Sequence, residues 1–135
     1  MSIVIDASVI LAWSFQDEVT PAAEALLQRV TMEGAVVPAH WKLEIANGFR
    51  SAERRGRIDR AYRDLSLQDL GELPIAIDPQ TAQHAWHTTL ELADRFGLTP
   101  YDAAYLELAL RRELPLGTLD RALLNASRIA GTRPL

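Results

Sequence analysis

Short apolar runs, too brief for helices, alternate along this chain with helix-length amphipathic segments, and that alternation restricts the fold more than any other feature. Ile3-Val4-Ile5 does not alternate polar with apolar, so it reads as a strand buried on both faces. A short helical turn follows at Val9 to Trp13. Thr20-Pro21, an N-cap with proline at the first helical position, opens a helix to about Thr31. Ala35-Val36-Val37 is a second strand after Gly34. Pro38 leads into a helix from Ala39 to Arg55, and Ile58 to Leu70 reads as its amphipathic partner. Leu73 to Ile77 is a third strand, with Pro74 tolerated at its start or edge. Asp78-Pro79 begins a helix to Phe96, Thr99-Pro100 another to about Arg112. Leu114 to Leu119 is a fourth strand, and Asp120 begins a last helix to Ala130. The tail from Gly131 to Leu135 is a candidate fifth strand that Pro134 weakens. Strands alternating with helices imply an α/β fold with a four- or five-stranded parallel sheet and helices on both faces.

With 135 residues and no linker or repeat, the chain reads as a single domain, 1–135. No cysteine is present, which removes disulfides, zinc–thiolate sites and thiol catalysis together. That absence, a start that runs directly into a strand pattern, and the lack of any span-length apolar run suit a cytoplasmic protein with no membrane association. A net charge of −4 argues against nucleic-acid binding by overall charge. The local distribution differs. Arg50, Arg54, Arg55, Arg57, Arg60 and Arg63 crowd one stretch, where they form either a solvated face paired with Glu53, Asp59 and Asp64 or a phosphate-binding surface.

Four acids occupy places where chemistry is done in such folds. Ligands of open parallel sheets bind beyond the carboxyl ends of the strands. Asp6 follows the first strand and Asp120 the fourth, while Asp102 lies in the first turn of the helix begun by Thr99-Pro100. Each also has a capping role open to it: Thr99-x-x-Asp102 matches a capping box, Asp120 an N-cap, and Asp6 an acceptor for the next turn. Glu44 falls at the border of an apolar helix face marked by Trp41, Ile45, Phe49 and Ala52, where a carboxylate needs a partner, either an arginine or a cation. Gly48 permits close approach on that face. If the four acids meet, two carboxylates about 5 Å apart repel by about 3 kcal/mol at an effective dielectric of 20. Their pKa values must then rise or a cation must arrive. Hard oxygen donors suit Mg²⁺ or Mn²⁺, and His40, His84 and His87 share no evident site that would favour zinc. Trp13, Phe15 and Trp41 read as core residues.

The segments Asp6-Ala7-Ser8-Val9, Trp41-Lys42-Leu43-Glu44-Ile45-Ala46-Asn47, Thr99-Pro100-Tyr101-Asp102-Ala103-Ala104-Tyr105-Leu106-Glu107-Leu108-Ala109 and Thr118-Leu119-Asp120-Arg121-Ala122-Leu123 resemble, in order and spacing, the PIN domain. Within that family they are most similar to the VapC toxins of bacterial toxin–antitoxin pairs, from Ser2 to about Ala130. The resemblance implies a Rossmann-like PIN fold and Mg²⁺- or Mn²⁺-dependent hydrolysis of RNA. It implies a homodimer inhibited by a small VapB-like antitoxin. Asp6, Glu44, Asp102 and Asp120 correspond to the family's acidic quartet and metal ligands, and Ser8 to its small hydroxyl position. Arg50, Arg54 and Arg57 are then candidates for holding the RNA backbone. The family's occasional further acid after the fourth is absent, since Arg121 and Ala122 stand there.

Other readings fit less well. A phosphatase of the haloacid dehalogenase type needs a second Asp where Ser8 stands, and no glycine-rich loop supports a nucleotide-binding module. The two alternatives are a PIN nuclease that processes RNA outside a toxin–antitoxin pair and a non-catalytic PIN-fold module that binds RNA or protein.

Overall fold

A computed structural model describes all residues, 1–135. Three short strands, β1 (Ile3–Ile5), β2 (Ala35–Val37) and β3 (Ile75–Ile77), join a two-residue β4 (Leu116–Gly117) in one parallel sheet of order β3-β2-β1-β4. Ile3 lies opposite Ala35, Val4 opposite both Val36 and Leu116, and Ile5 opposite Gly117. All three β1 residues are fully buried although successive side chains point to opposite faces, so helices cover the sheet on both sides. The edge strand β3 leaves Ala76 and Ile77 exposed.

The order of the strands decides where a ligand can sit. From β1 the chain steps outward to β2 and β3, then returns to place β4 on the other side of β1. The loops leaving β1 and β4 therefore run in opposite directions, and a crevice opens at their carboxyl ends. Asp6 and Asp120 follow these two strands.

Eight α-helices form the covering layers: α1 (Ala7–Ser14), α2 (Pro21–Glu33), α3 (Trp41–Arg54), α4 (Arg60–Gly71), α5 (Thr81–His84), α6 (Thr88–Phe96), α7 (Pro100–Arg112) and α8 (Arg121–Ala130). Helix α7 is the central one. Every residue from Ala103 to Ala109 is buried, and alanines at 103, 104 and 109 let neighbouring elements approach its backbone. Helices α1 and α3 are equally close. A Cβ built on Gly48 would stand 2.6 Å from Leu11 Cδ1, so the glycine is what lets these helices pack. Phe15 and Trp41 lie in the core, as expected, and Trp13 donates from its indole to the Ala23 carbonyl at 2.6 Å.

Several boundaries differ from the sequence pattern. The helix expected from Asp78 to Phe96 is two helices, broken at Ala85 to His87, where His87 has φ −120° and ψ −103°. The break lets α5 and α6 each turn a face to α7, with Thr89, Leu92 and Ala93 buried from the second piece. Helix α1 is longer than a turn because Asp6 caps it, and α4 starts later than Ile58 because Asp59 accepts from the Tyr62 N–H. The fourth strand pairs only at Leu116–Gly117, since Thr118 turns its hydroxyl toward β1. A fifth strand does not form. A single parallel bridge, Pro115 to Arg133, takes its place, and the missing N–H groups of Pro115 and Pro134 prevent a ladder on either side. No helix is long and apolar enough to cross a membrane.

Candidate active site

Asp6 is the best-held carboxylate in the molecule. It is 4% exposed at the end of β1 and accepts three hydrogen bonds. Oδ1 takes the Ser8 hydroxyl at 2.6 Å and the Val9 N–H at 3.4 Å, while Oδ2 takes the Thr118 hydroxyl at 2.7 Å. Both hydroxyls also accept a backbone N–H from the turn after β4: Ser8 from Leu119 at 3.2 Å, Thr118 from Asp120 at 3.0 Å. Each hydroxyl thus spends its one proton on Asp6 and accepts an N–H of the loop that follows β4. The crevice between β1 and β4 is stitched shut at its base. Burial nonetheless pushes the Asp6 carboxyl up to about 6, against the pull of these hydrogen bonds and with a smaller push from the Asp102 charge.

Asp120 caps α8, its Oδ1 accepting from the Leu123 N–H at 2.9 Å, and it is exposed. Asp102 is half-buried in the first turn of α7, whose N-cap Thr99 accepts the Asp102 N–H at 3.2 Å. Its carboxyl is raised by burial first, then by the charges of Asp120 and Glu44. Capping and proximity therefore coexist: the helix starts that hold these acids also bring them within range of one another's charge.

Glu44, in the first turn of α3, is not paired with an arginine. The Tyr105 hydroxyl donates to its Oε1 at 2.6 Å, and His40 Nε2 stands 3.1 Å from the same oxygen. His40 Nε2 also faces the Tyr101 carbonyl at 3.1 Å. Two acceptors around one ring nitrogen require that nitrogen to carry a proton. The imidazole lies between the Tyr101 and Tyr105 rings, at centroid distances of 5.7 and 5.5 Å.

Mutual repulsion links the acids into one group: Asp6 responds to Asp102, and Asp102 to Asp120 and Glu44. No lysine or arginine forms an ion pair with any of the four. No three His, Asp or Glu side chains stand close enough together to hold a metal ion as placed. The donor chemistry, all carboxylate oxygen and paired with no lysine or arginine, fits a hard divalent cation and not zinc.

Three contributors escaped the sequence pattern. Thr118 is two residues before Asp120 on the strand exit, a position from which a hydroxyl reaches the neighbouring strand. Tyr105 is one helical turn beyond Asp102, so it shares that acid's face. His40 precedes α3 by one residue and was assigned to no site. His84, on α5, is half-buried with Nδ1 3.7 Å from Glu107.

The arginine stretch divides in two. Arg57 is held by Asp17 and Glu18 at 2.8 and 3.2 Å and lies over the Phe15 ring; Arg63 is held by Glu53 and Asp64, and Arg60 approaches Glu53. Arg50, Arg54 and Arg55 have no carboxylate partner and line, with Asn47 and Ser51, a wholly polar groove of about 440 Å³. Asn47 and Ser51 follow Glu44 at helical spacing, which connects the groove to the acids along α3.

Comparison with known proteins agrees with this geometry. The model of the PIN domain matches residues 3–129. Ribonuclease VapC3 of Pyrobaculum aerophilum is 32% identical over 124 residues, covering 91% of this chain and 92% of that protein. Ribonuclease VapC3 of Mycobacterium tuberculosis is 30% identical over 129 residues, covering 92% and 86%. The crystal structure of PAE2754 from Pyrobaculum aerophilum superposes with a TM-score of 0.69 at 26% identity, over 95% of this chain and 87% of that one. A parallel sheet with its switch point at β1 and β4, four acids gathered from separate segments onto that crevice, and a family match across nearly the whole length lead to one assignment: the chain belongs to the PIN domain family.

Proposed function

We propose that this protein is a metal-dependent endoribonuclease acting in the cytoplasm, the toxin of a VapBC-type toxin–antitoxin pair. The observation that carries the proposal is the set of four carboxylates about the switch point, whose charges raise Asp6 and Asp102 and which no lysine or arginine pairs. The naming of two relatives as ribonucleases VapC3 supports the substrate and the pairing with a VapB-like antitoxin. The resemblance to the PIN domain toxins adds to this proposal a homodimer.

Asp6, Asp102, Asp120 and Glu44 are the residues that would hold Mg²⁺ or Mn²⁺. When bound, such a cation supplies a water of lowered pKa and neutralises charge that develops on phosphate. The chain's own residues do the rest. Ser8 and Thr118 favour the ionised form of Asp6 against burial and fix its orientation by donating to both of its oxygens. Asp120 commits Oδ1 to the α8 cap and keeps its other oxygen for the site. Arg50 and Arg54, joined by Arg55, hold the phosphates of a single strand running along α3 from the acids. Arg57, though in the same stretch, has its guanidinium engaged by Asp17 and Glu18.

The test is cleavage of RNA by purified protein with Mg²⁺, Mn²⁺ or a chelator, followed by mapping of the new ends. Cleavage that needs either metal and is abolished in a folded Asp6→Asn protein is the expected result. RNA left intact by the folded wild type with both metals, across total cellular RNA, would overturn the nuclease reading in favour of a binding module.

A further inference from the structure

Tyr105 is fully buried, yet it is not a core residue in its chemistry. Its ring fills the space between α7 and α3, which a phenylalanine would fill as well. Its hydroxyl makes a single hydrogen bond, to Glu44 Oε1. Burying a hydroxyl is unfavourable unless a partner compensates, so a phenol here serves the carboxylate and not the packing. That carboxylate is half-buried at the rim of the acidic crevice.

The donors around Glu44 are one-sided. Tyr105 Oη at 2.6 Å and His40 Nε2 at 3.1 Å both address Oε1, and no protein group donates to Oε2. The His40 ring meets the Tyr105 ring edge to face at 72° while its Nε2 bonds the Tyr101 carbonyl, so the imidazole braces the phenol that donates and stands beside the same carboxylate oxygen. Tyr105 also lies three residues after Asp102 on α7. One helix therefore carries one acid and orients another that comes from a different element. We propose that Tyr105 is a positioning residue which, with His40, pins Glu44 through Oε1 and presents Oε2 alone to a divalent cation. This rests on the metal-dependent reading above. Partners of this kind fix the direction of a metal-binding carboxylate, and their removal typically weakens metal binding by about 10- to 100-fold.

The experiment is calorimetric titration of Mn²⁺ into wild type, Tyr105→Phe, Glu44→Gln and the double variant, with urea unfolding of each metal-free protein. Tyr105→Phe is expected to weaken Mn²⁺ binding about tenfold in the wild-type background. With Glu44→Gln it should have no further effect, because no carboxylate remains to be positioned. Wild-type affinity in Tyr105→Phe, or an equal loss in both backgrounds, would overturn the inference. Should Tyr105→Phe fail to fold, His40→Leu provides the same comparison: a loss of affinity only where Glu44 is intact supports the pin, and an equal loss in both backgrounds defeats it. A wild-type protein that binds no Mn²⁺ would overturn the functional reading itself, an outcome distinct from intact binding that is insensitive to Tyr105.

Discussion

Thr118 donates its hydroxyl to Asp6 Oδ2 at 2.7 Å, joining two residues 112 positions apart in the chain at the base of the crevice. The same oxygen accepts the Asp120 N–H, so one threonine sets the orientation of the first acid and the start of the helix that carries the last. A parallel sheet in which β4 returns beside β1 makes this contact available, and the shortness of β4 frees Thr118 to make it.

Replacing Thr118 by valine keeps the shape and removes both bonds. The variant is expected to lose about 1–2 kcal/mol of stability, since an N–H and a carboxylate oxygen each lose a buried partner. The Asp6 carboxyl, no longer held down by that hydroxyl, should titrate higher still. The measurable result is an acid limb of the pH–rate profile displaced upward. A profile identical to that of the wild type would show that the threonine only caps the turn.

Asp6→Asn separates stability from activity. Folding buries this group with its carboxyl at about 6, against an ordinary aspartate value of 3.8. Between those values the native state binds more protons than the unfolded one, so the contribution of Asp6 to stability falls as pH rises from about 4 to about 6. Roughly two pH units correspond to about 3 kcal/mol. Urea unfolding of the metal-free proteins should show the asparagine variant gaining on wild type by up to that amount from pH 4 to pH 7.5, while cleavage is lost. A constant difference across that range would show that the site does not raise the Asp6 carboxyl.

The acids were legible in the sequence because each sits at an element boundary, and boundaries carry local signals: the end of an apolar run at Ile5, Thr99-Pro100, Asp120 before a helix pattern. Asp6 and Asp120 cap the helices they precede, as the same signals imply, whereas Thr99 caps α7 and Asp102 returns no bond to the Thr99 N–H. The partners of the acids were not legible. Thr118 meets Asp6, and Tyr105 meets Glu44, through contacts that only the finished topology creates; the period of either segment reads the same without them. The break at Ala85 to His87 was hidden for a related reason. Residues 81 to 96 hold a helical pattern throughout, and it is the need of α5 and α6 to pack separately on α7 that divides them. The fifth strand failed for a reason that was visible, the prolines at 115 and 134.

Arg111 holds the far side of α7. It bridges Asp78 at 2.6 Å and Glu107 at 2.7 Å, two carboxylates that are 2% and 3% exposed. Its removal leaves both charges buried and unpaired, which typically costs about 3–5 kcal/mol. Arg111→Met should therefore lower the urea midpoint sharply at pH 7.5. Burial raises the Asp78 carboxyl, but the Arg111 guanidinium, the Gln80 N–H and the Thr81 hydroxyl together hold it below its ordinary value, so its contribution is present above about pH 4 and is lost as pH falls through its depressed value. The gap between variant and wild type should accordingly narrow below pH 4. An undiminished gap there would place the effect in lost packing of the arginine stem.

The arginine groove predicts a salt dependence that tells one arginine from another. Arg54 has no carboxylate partner and lines the polar groove beside Asn47 and Ser51, whereas Arg57 is bound by Asp17 and Glu18. A guanidinium that contacts phosphate displaces a condensed counterion, and for single strands each such contact adds about 0.7 to the slope of log affinity against log salt. In the cleavage-deficient Asp6→Asn protein, binding of a fluorescent single-stranded RNA followed by anisotropy at several salt concentrations gives that slope. Arg54→Ala should lower it by about 0.7. Arg57→Ala should leave it unchanged, because its charge is already neutralised by neighbours. Equal slopes for all three proteins would remove the groove from the path of the RNA and leave the acids as the only part of the surface that meets it.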